Sequence, residues 1–111
     1  MEEVVIAYDH GDVIIFDSIS RAEKYLESID VNNNEYILYN GNGRRLIANV
    51  RSESRGFERV VITEDLIDDS SKSELMQILT RLLNYSGFDM ESLNNMELGE
   101  LVHESLKFKI A

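Results

Sequence analysis

Few residues in this sequence have the types and spacing that chemistry requires, and the most suggestive stretch is YNGNGRR, residues 39–45. Two glycines flank one residue and two arginines follow, a pattern that could form either a phosphate cradle or a tight turn. A phosphate cradle needs a glycine loop that leads into a helix, because the helix N-terminus supplies the amides. Here the glycines lead into RRLIANVRS, residues 44–52, whose alternation is typical of a strand. Because Asn and Gly tolerate positive φ, the stretch predicts a β-hairpin turn.

A second candidate is the segment DVNNNE, which has oxygen-bearing side chains at the spacing of a calcium-binding loop. Asp30, Asn32 and Asn34 occupy the first, third and fifth positions of such a loop. The sixth position requires glycine and the twelfth a bidentate acid, but these positions hold Glu35 and Gly41. We therefore interpret the segment as a polar loop between a helix and a strand.

Histidine and carboxylate side chains meet at Asp9-His10-Gly11-Asp12, which could bring one imidazole and two carboxylates near a metal ion. The other histidine, His103, is far away in sequence, so no ligand spacing supports a metal site. These residue types are common in tight turns. The chain contains no cysteine, which excludes a disulfide and a thiolate metal site. The sequence therefore predicts no metal ion and no cofactor.

Catalytic groups are equally sparse. A nucleophilic mechanism needs a serine or cysteine with a base and an orienting group, and neither histidine lies in such a motif. Carboxylate pairs are plentiful, but 21 acidic residues produce pairs by chance. A catalytic pair also needs one carboxyl in an apolar setting that raises its pKa. We therefore predict that the chain is not an enzyme and has no catalytic residues.

Charge is the most informative part of the composition. The 111 residues carry 21 acidic and 11 basic side chains, for a net charge of −10. Such a field repels nucleic acid and anionic membranes and attracts basic partners from a distance, although it also serves solubility alone. Arginines and aromatic residues gather on the third to fifth predicted strands, where they could form a nucleic-acid stacking platform. The alternative is that these arginines lie on the solvent face of the sheet, pair with acidic residues of the rest of the chain and protect the sheet edges from aggregation. The cluster comprises Arg44, Arg45, Arg51, Arg55, Arg59, Tyr36, Tyr39 and Phe57.

The elements that would position these residues follow from periodicity. Alternating or continuous apolar residues predict five strands, and the second is apolar enough to be central and buried on both faces. The predicted strands are residues 3–9, 13–17, about 34–40, 44–52 and 57–64.

Apolar residues at helical spacing predict three helical regions. The first begins with a capping box of Ser20 and Glu23 and carries Ala22, Tyr25, Leu26 and Ile29 on one face. The second covers residues 73–85, with a possible capping box of Ser71 and Glu74, and ends near Gly87. The tail is helical in two pieces divided near Asn94-Asn95, and Gly99 within it suggests a close backbone contact. Its inner face would comprise Leu98, Leu101, Val102 and Leu106.

The resulting order is β-β-α-β-β-β-α-α. Short connections between successive strands favour an antiparallel sheet with helices segregated to one side, a single α+β domain spanning residues 1–111. No apolar run approaches the length of a membrane span, and the N-terminus lacks the pattern of a signal peptide. The expected location is the cytoplasm. The exposed hairpin 36–50 is a candidate for edge-to-edge pairing into a dimer.

The segment FDSISRAEKYLESIDVNNNEYILYNGNGRRLIANV resembles small bacterial immunity proteins of contact-dependent growth inhibition and related polymorphic toxin systems. The matching pattern is a strand ending in FDS, a helix with AEKYLE, a loop, EYILYN, a glycine turn and another strand; the tail LGELVHESL also suits the type. The resemblance implies a protein that binds a cognate toxin domain in the producing cell and blocks its active site or substrate access. Because these families share no one interface, the resemblance implies no particular binding residue.

Charge alone supplies the candidate contact residues. Many such toxins are nucleases, which present cations to phosphate, so an acidic inhibitor can match that surface. The alternatives are an acidic protein-interaction module unrelated to toxins, or a small enzyme or nucleic-acid binder that uses the arginine strands. An acidic loop and an acidic helix face are the candidates, and each could instead be merely solvated. They comprise Glu64, Asp65, Asp68 and Asp69 after the fifth strand, and Glu97, Glu100 and Glu104 on the last helix.

Overall fold

The structure, a computed structural model, describes residues 4–26, 36–52, 56, 58–64 and 71–109. Within that part of the chain, five strands form one antiparallel sheet and four helices accompany it, which confirms the predicted α+β fold. The elements are β1 (Val5–Asp9), β2 (Asp12–Phe16), α1 (Ile19–Tyr25), β3 (Ile37–Asn40), β4 (Arg45–Ser52), β5 (Glu58–Glu64), α2 (Ser71–Tyr85), α3 (Met90–Asn94) and α4 (Leu98–Lys109). The polar segment 30–35 lies outside the described residues. None of the described helices has the length and apolar character that a membrane span requires.

The strand order is β2-β1-β3-β4-β5, and every neighbouring pair is antiparallel. The prediction that the second strand is central is wrong, because β2 is an edge strand. It is apolar on both sides because helices pack on both faces of the sheet: Val13 and Ile15 join one core cluster and Phe16 joins the other. The prediction that hairpin 36–50 exposes an edge is also wrong, since β3 pairs with β1 and β4 pairs with β5.

Helices cover both faces of the sheet, so the prediction of helices on one side is wrong. Ala22 and Leu26 of the α1 region pack on one face, against residues such as Phe16, Leu38 and Val60. The helices α2, α3 and α4 pack on the other face, and their largest fully buried side chains are Leu75, Leu79, Leu83, Leu93 and Leu101. Alternation within β1 explains the division, because Val5 and Ala7 point to the α1 side and Ile6 points to the opposite side.

Two glycine-containing turns close the hairpins as predicted. His10 and Gly11 both have positive φ, 49° and 101°, between β1 and β2. In the β3–β4 turn, Gly43 has φ 86°, and the side-chain oxygen of Asn40 accepts hydrogen bonds from the amides of Asn42 and Arg44 at 2.9 and 3.0 Å. A three-residue loop with glycine in the left-handed region is a standard hairpin connection. The turn prediction for YNGNGRR is confirmed.

The start of α1 differs from the predicted capping box. Ser18 is the N-cap, and its hydroxyl accepts a hydrogen bond from the Arg21 amide at 3.1 Å. The Glu23 carboxylate instead accepts a hydrogen bond from the Ile62 amide of β5 at 2.9 Å. Because β5 is an edge strand, the Ile62 amide has no neighbouring strand on its outer side, and the Glu23 carboxylate accepts its hydrogen bond instead. The local pattern could not reveal this, since Ile62 is 39 residues away.

Replacing Glu23 with alanine is expected to lower the free energy of unfolding by about 1.5–3 kcal/mol, the usual contribution of a hydrogen bond to a charged group. The variant should also self-associate more readily, because an uncovered edge amide invites strand pairing. Urea unfolding and sedimentation velocity would measure these effects, with Lys24→Ala on the same helix as the control. If Glu23→Ala and Lys24→Ala behave alike in both measurements, the Glu23–Ile62 bond does not protect the edge.

The start of α2 also uses its polar residues for tertiary contacts rather than for the predicted capping box. The buried Ser71 hydroxyl donates a hydrogen bond to the Gly43 carbonyl at 2.5 Å. The Glu74 carboxylate accepts one from the Tyr39 hydroxyl at 3.3 Å. The end of α2 is as predicted: Gly87 has φ 114°, and the Phe88 amide donates back to the Leu83 carbonyl at 3.0 Å.

The helical tail divides near Asn94-Asn95 as predicted, because α3 ends at Asn94 and α4 begins at Leu98. Asp89 caps α3, and its carboxylate accepts hydrogen bonds from the Ser92 amide at 2.7 Å and the Ser92 hydroxyl at 3.1 Å. The amide bond in particular lowers the pKa of Asp89 below its ordinary value, because it stabilises the charged carboxylate. This cap is therefore present at neutral pH and is lost in acid, as pH falls through the lowered pKa.

Candidate functional site

The acidic loop predicted after the fifth strand is described only at its first residue. Glu64 ends β5, is exposed, and accepts a hydrogen bond from the Asn40 side chain at 3.3 Å. It lines a shallow cavity of about 270 Å³ together with Arg44 and Lys72. Asp65, Asp68 and Asp69 lie outside the described residues. Glu64 therefore has basic neighbours as well as the acidic run that follows it in sequence.

The other predicted group, Glu97, Glu100 and Glu104, is described completely and is called the acidic helix face below. Glu97 immediately precedes α4, and its amide donates a hydrogen bond to the Glu100 carboxylate at 3.2 Å. Glu104 lies one turn further along and pairs with Lys107 at 2.8 Å. Glu97 and Glu100 are exposed and Glu104 is half-buried. The three acids lie on one side as predicted, but Glu97 precedes the helix, Glu104 is half-buried, and Glu100 also accepts the Glu97 amide at the start of the helix.

Two shallow cavities connect these three carboxylates. Glu100 and Glu104 line a cavity of about 260 Å³ with Met96, Gly99 and His103. Glu97 lines a neighbouring cavity of about 380 Å³, which also includes Met96 and Gly99. In the smaller cavity, Met96 beside the Glu100 and Glu104 carboxylates suits a lysine or arginine of a partner, because such side chains lay an aliphatic stem on apolar surface and keep the charged group at the edge. Lys72 also lines the larger cavity, so that cavity has charge of both signs.

Gly99 explains why this surface is concave. The sequence suggested a close backbone contact at this glycine, but that prediction is wrong: a Cβ added there meets no atom within 4 Å. The missing side chain instead leaves space between Met96 and His103.

Replacing Gly99 with alanine is expected to raise the free energy of unfolding by roughly 0.5–1 kcal/mol, because alanine favours a helix and finds open space here. Thermal and urea unfolding would measure the gain. The same methyl group should lower the affinity for any basic partner whose side chain inserts over Met96, because it fills part of the cavity. A variant that is destabilised would show that the glycine is needed by the helix itself.

The proposed aromatic platform of the arginine strands does not form among the described residues. Tyr39 is buried under α2, and the Arg45 guanidinium carbon lies 5.8 Å from its ring centroid. Tyr36 is half-buried on the opposite face of the sheet, in the α1 core cluster. Arg55 and Phe57 lie outside the described residues. Alternation along a strand already separates these two tyrosines, because residues three positions apart point to opposite faces of a sheet.

A larger cleft was not predicted. It has a volume of about 570 Å³ and lies between the β1–β2 turn and the C-terminal half of α2. Tyr8 and Val13 line its sheet side, and Ile78, Arg81 and Tyr85 line its helix side. Tyr85 is 96% exposed, so its aromatic ring has no packing role in the fold. The sequence signal that could have indicated this cleft is the spacing of Ile78, Arg81 and Tyr85, which places them on one face of α2.

Among the described residues, no three histidine, aspartate or glutamate side chains are placed to hold a metal ion. Comparisons with models of protein families, with curated proteins and with solved structures gave no match.

Proposed function

We propose that this chain is an immunity protein that binds and neutralises a cognate toxin domain. The observation that supports the proposal best is the acidic helix face around two shallow cavities, on a chain with a net charge of −10. The sequence resemblance of roughly residues 12–50 to immunity proteins supports the same proposal. In this proposal the toxin is a basic nuclease domain, and the chain blocks its active site or its access to substrate in the cytoplasm of the producing cell.

Electrostatic complementarity between the acidic chain and a basic nuclease is the physical basis of the proposal. A nuclease presents lysine and arginine to phosphate, so exposed carboxylates compete for the same groups. Complementary charge raises association rates by about 10- to 1000-fold at low salt. The Debye length of about 8 Å at physiological ionic strength limits this attraction to charges near the contact, so the arrangement of Glu97, Glu100 and Glu104 matters more than net charge alone.

A second candidate function is a protein-interaction module unrelated to toxins, and the cleft beside Tyr85 favours it. Tyrosine and arginine are enriched among the residues that dominate binding energy, and Arg81 and Tyr85 lie together at this cleft. A partner anchored there by apolar contact should bind with little dependence on salt. A partner steered to the acidic helix face should associate more slowly as salt rises.

Growth rescue tests the proposal. The last few hundred codons of the gene immediately upstream would be expressed alone and then together with this chain. The proposal expects the upstream product to arrest growth, and this chain to restore growth and form a stoichiometric complex with it. Charge reversal at Asp65, Asp68 and Asp69 would then measure the contribution of the acidic loop. A harmless upstream product, or arrest that this chain does not relieve, would contradict the proposal.

A further inference from the structure

The cleft between the β1–β2 turn and the C-terminal half of α2 has two walls of opposite charge. Each wall is mainly apolar and carries one charged residue, Asp12 on the sheet side and Arg81 on the helix side. Its volume of about 570 Å³ falls within the range of about 300–1,000 Å³ that is usual for ligand pockets, so the cleft has room for a large side chain. The apolar lining comprises Tyr8, Val13, Ile78, Leu82 and Tyr85.

Both charged residues of the cleft are exposed. Within the part of the chain that the structure describes, neither the Asp12 carboxylate nor the Arg81 guanidinium makes an ion pair or a side-chain hydrogen bond. Asp9, in the same turn as Asp12, is already paired with His10. The residues three and four positions from Arg81 along α2 are uncharged, so its own helix supplies no counter-ion. Asp12 and Arg81 can therefore each pair with a group from another molecule.

Tyr85 projects from the rim of this cleft. It is the last residue of α2 and is 96% exposed, so its ring packs on nothing in its own chain. Burial of a tyrosine ring removes about 150–250 Å² from water, and tyrosine is enriched among the residues that dominate binding energy. A projecting aromatic ring beside a cleft is what a twofold contact needs, because each copy must supply both the inserting group and the space that receives it.

We infer that the cleft is the contact surface of a homodimer in which Tyr85 of each copy enters the cleft of the other. In a twofold contact, each residue of one copy meets the same residue of the other copy as its own counterpart meets in return. The helix wall of each copy then faces the sheet wall of the other. The Arg81 guanidinium of one copy pairs with the Asp12 carboxylate of the second, and this pair forms twice.

The charges of the cleft favour a second copy over other occupants. Nucleic acid would gain one guanidinium but would bring its phosphates against the Asp12 carboxylate. A small ligand is usually buried over most of its surface, whereas the rim residue Tyr85 is almost fully exposed. A different protein would have to present an acid, a base and an apolar side chain in the matching arrangement. A second copy carries all three in its own cleft.

The dimer should be weak. Two tyrosine rings, with an equal area of the walls that they cover, bury roughly 600–1,000 Å². Stable interfaces bury about 1,200–2,000 Å². Two chains that each carry −10 also repel each other, although a Debye length of about 8 Å at physiological ionic strength limits this repulsion to charges near the contact. The expected dissociation constant is therefore roughly 0.1 mM.

This inference goes beyond the proposed function, because it concerns association of the chain with itself and requires no toxin. The contact also leaves the acidic helix face open. That face borders the first turns of α2 at Lys72 and Met76, whereas the cleft borders the last turns of the same helix. A homodimer would therefore present two acidic helix faces to other partners.

Sedimentation equilibrium of the full chain provides the first test, from about 0.02 to 1 mM at physiological ionic strength. The average mass should rise from monomer towards dimer across this range, and concentration-dependent amide shifts should lie in residues 8–13 and 78–86. Tyr85→Ser should raise the dissociation constant at least about tenfold. The matched control is Tyr25→Ser, which removes an exposed tyrosine from α1 and should change the constant less than about twofold. Far-UV circular dichroism would establish that both variants fold.

Charge reversal tests the reciprocal pairing directly. Asp12→Arg sets arginine against arginine at both contacts, and Arg81→Asp sets aspartate against aspartate. Each variant alone should therefore dimerise at least about tenfold more weakly than the wild-type chain. An equal mixture of the two variants should recover wild-type association, because both contacts of the heterodimer then join an arginine to an aspartate. Asp17→Arg and Lys24→Asp make the same changes in net charge away from the cleft, and each alone or mixed should associate within about threefold of wild type.

Four results would overturn the inference. A wild-type chain that stays monomeric up to about 1 mM would show that no second copy occupies the cleft. The same conclusion would follow if Tyr85→Ser associated as strongly as the wild-type chain. A dimer that survives both single charge reversals would place the contact elsewhere on the molecule. A mixture of Asp12→Arg and Arg81→Asp that recovers no association would exclude the reciprocal ion pairs.

Discussion

Replacing Gly43 with alanine is expected to lower the free energy of unfolding by about 2–5 kcal/mol. Two independent costs combine at this position. Gly43 has φ 86°, a left-handed conformation that costs an L-residue about 1–2 kcal/mol. An added Cβ would also lie 2.9 Å from the Lys72 Cα and 2.9 Å from the Leu98 Cδ2, and relief of such overpacking costs about 1–3 kcal/mol.

Gly11 offers a matched control for this experiment. It lies in the other glycine turn with φ 101°, but an added Cβ there meets no atom within 4 Å. Gly11→Ala should therefore show the conformational cost alone, and the difference between the two variants in urea unfolding isolates the contact of the β3–β4 turn with α2 and α4. If Gly43→Ala and Gly11→Ala lower the free energy of unfolding equally, the contact of the β3–β4 turn with α2 and α4 contributes nothing measurable to stability.

The contact at Gly43 also matters for the binding surface. The Gly43 carbonyl accepts the hydrogen bond from Ser71 at the start of α2, while Leu98 at the start of α4 packs against the same glycine. Glu97 directly precedes Leu98, so the turn helps to set where the acidic helix face lies relative to the sheet. A destabilised Gly43 variant should accordingly lose partner binding as it loses structure.

Reversing the charge of Glu97 and Glu104 to lysine is expected to slow association with a basic partner by about 10- to 100-fold at low salt. Glu100 is left in place because its carboxylate accepts the Glu97 amide and supports the start of α4. The reversal replaces attraction by repulsion at both ends of the cavity pair around Met96. Because ionic screening weakens both effects, the ratio of wild-type to variant association rates should shrink as salt rises.

Stopped-flow or surface-plasmon-resonance kinetics with the toxin domain that the growth-rescue experiment identifies would measure these association rates. Asp12→Lys with Glu58→Lys is the control, since it changes net charge by the same amount at exposed positions of β2 and β5. If the control variant slows association as much as Glu97→Lys with Glu104→Lys does, steering depends on net charge rather than on the acidic helix face. Unchanged rates in both variants would remove electrostatic steering from the proposal.

The sequence by itself determined the elements whose signals are local. Alternating residues in 44–52 predicted β4, and the spacing of Leu75, Leu79 and Leu83 predicted α2 and its buried side. Gly11 in the first turn and the Asn-Gly pairs in the second predicted the hairpins, because only a few residue types accept positive φ. The acidic helix face was also predictable, since side chains three and four residues apart share a helix face.

Partners distant in sequence were decided by tertiary structure alone. The spacing of Ser20 and Glu23 predicted a capping box, but Ser18 is the cap and Glu23 covers the β5 edge at Ile62. A carboxylate binds whichever backbone amide the fold brings nearest, and a local pattern cannot contain that amide. Likewise, Gly43 and Lys72 are separated by 28 intervening residues, and their contact arises only when the turn packs on α2.

The order of the strands and the packing of helices on the sheet also could not be predicted from the sequence. The apolar run of β2 fits either a central strand or an edge strand covered on both faces, and both arrangements bury the same side chains. Alternation places Tyr36 and Tyr39 on opposite faces, but only the packing of the layers decided that Tyr36 lies in the α1 cluster and Tyr39 under α2.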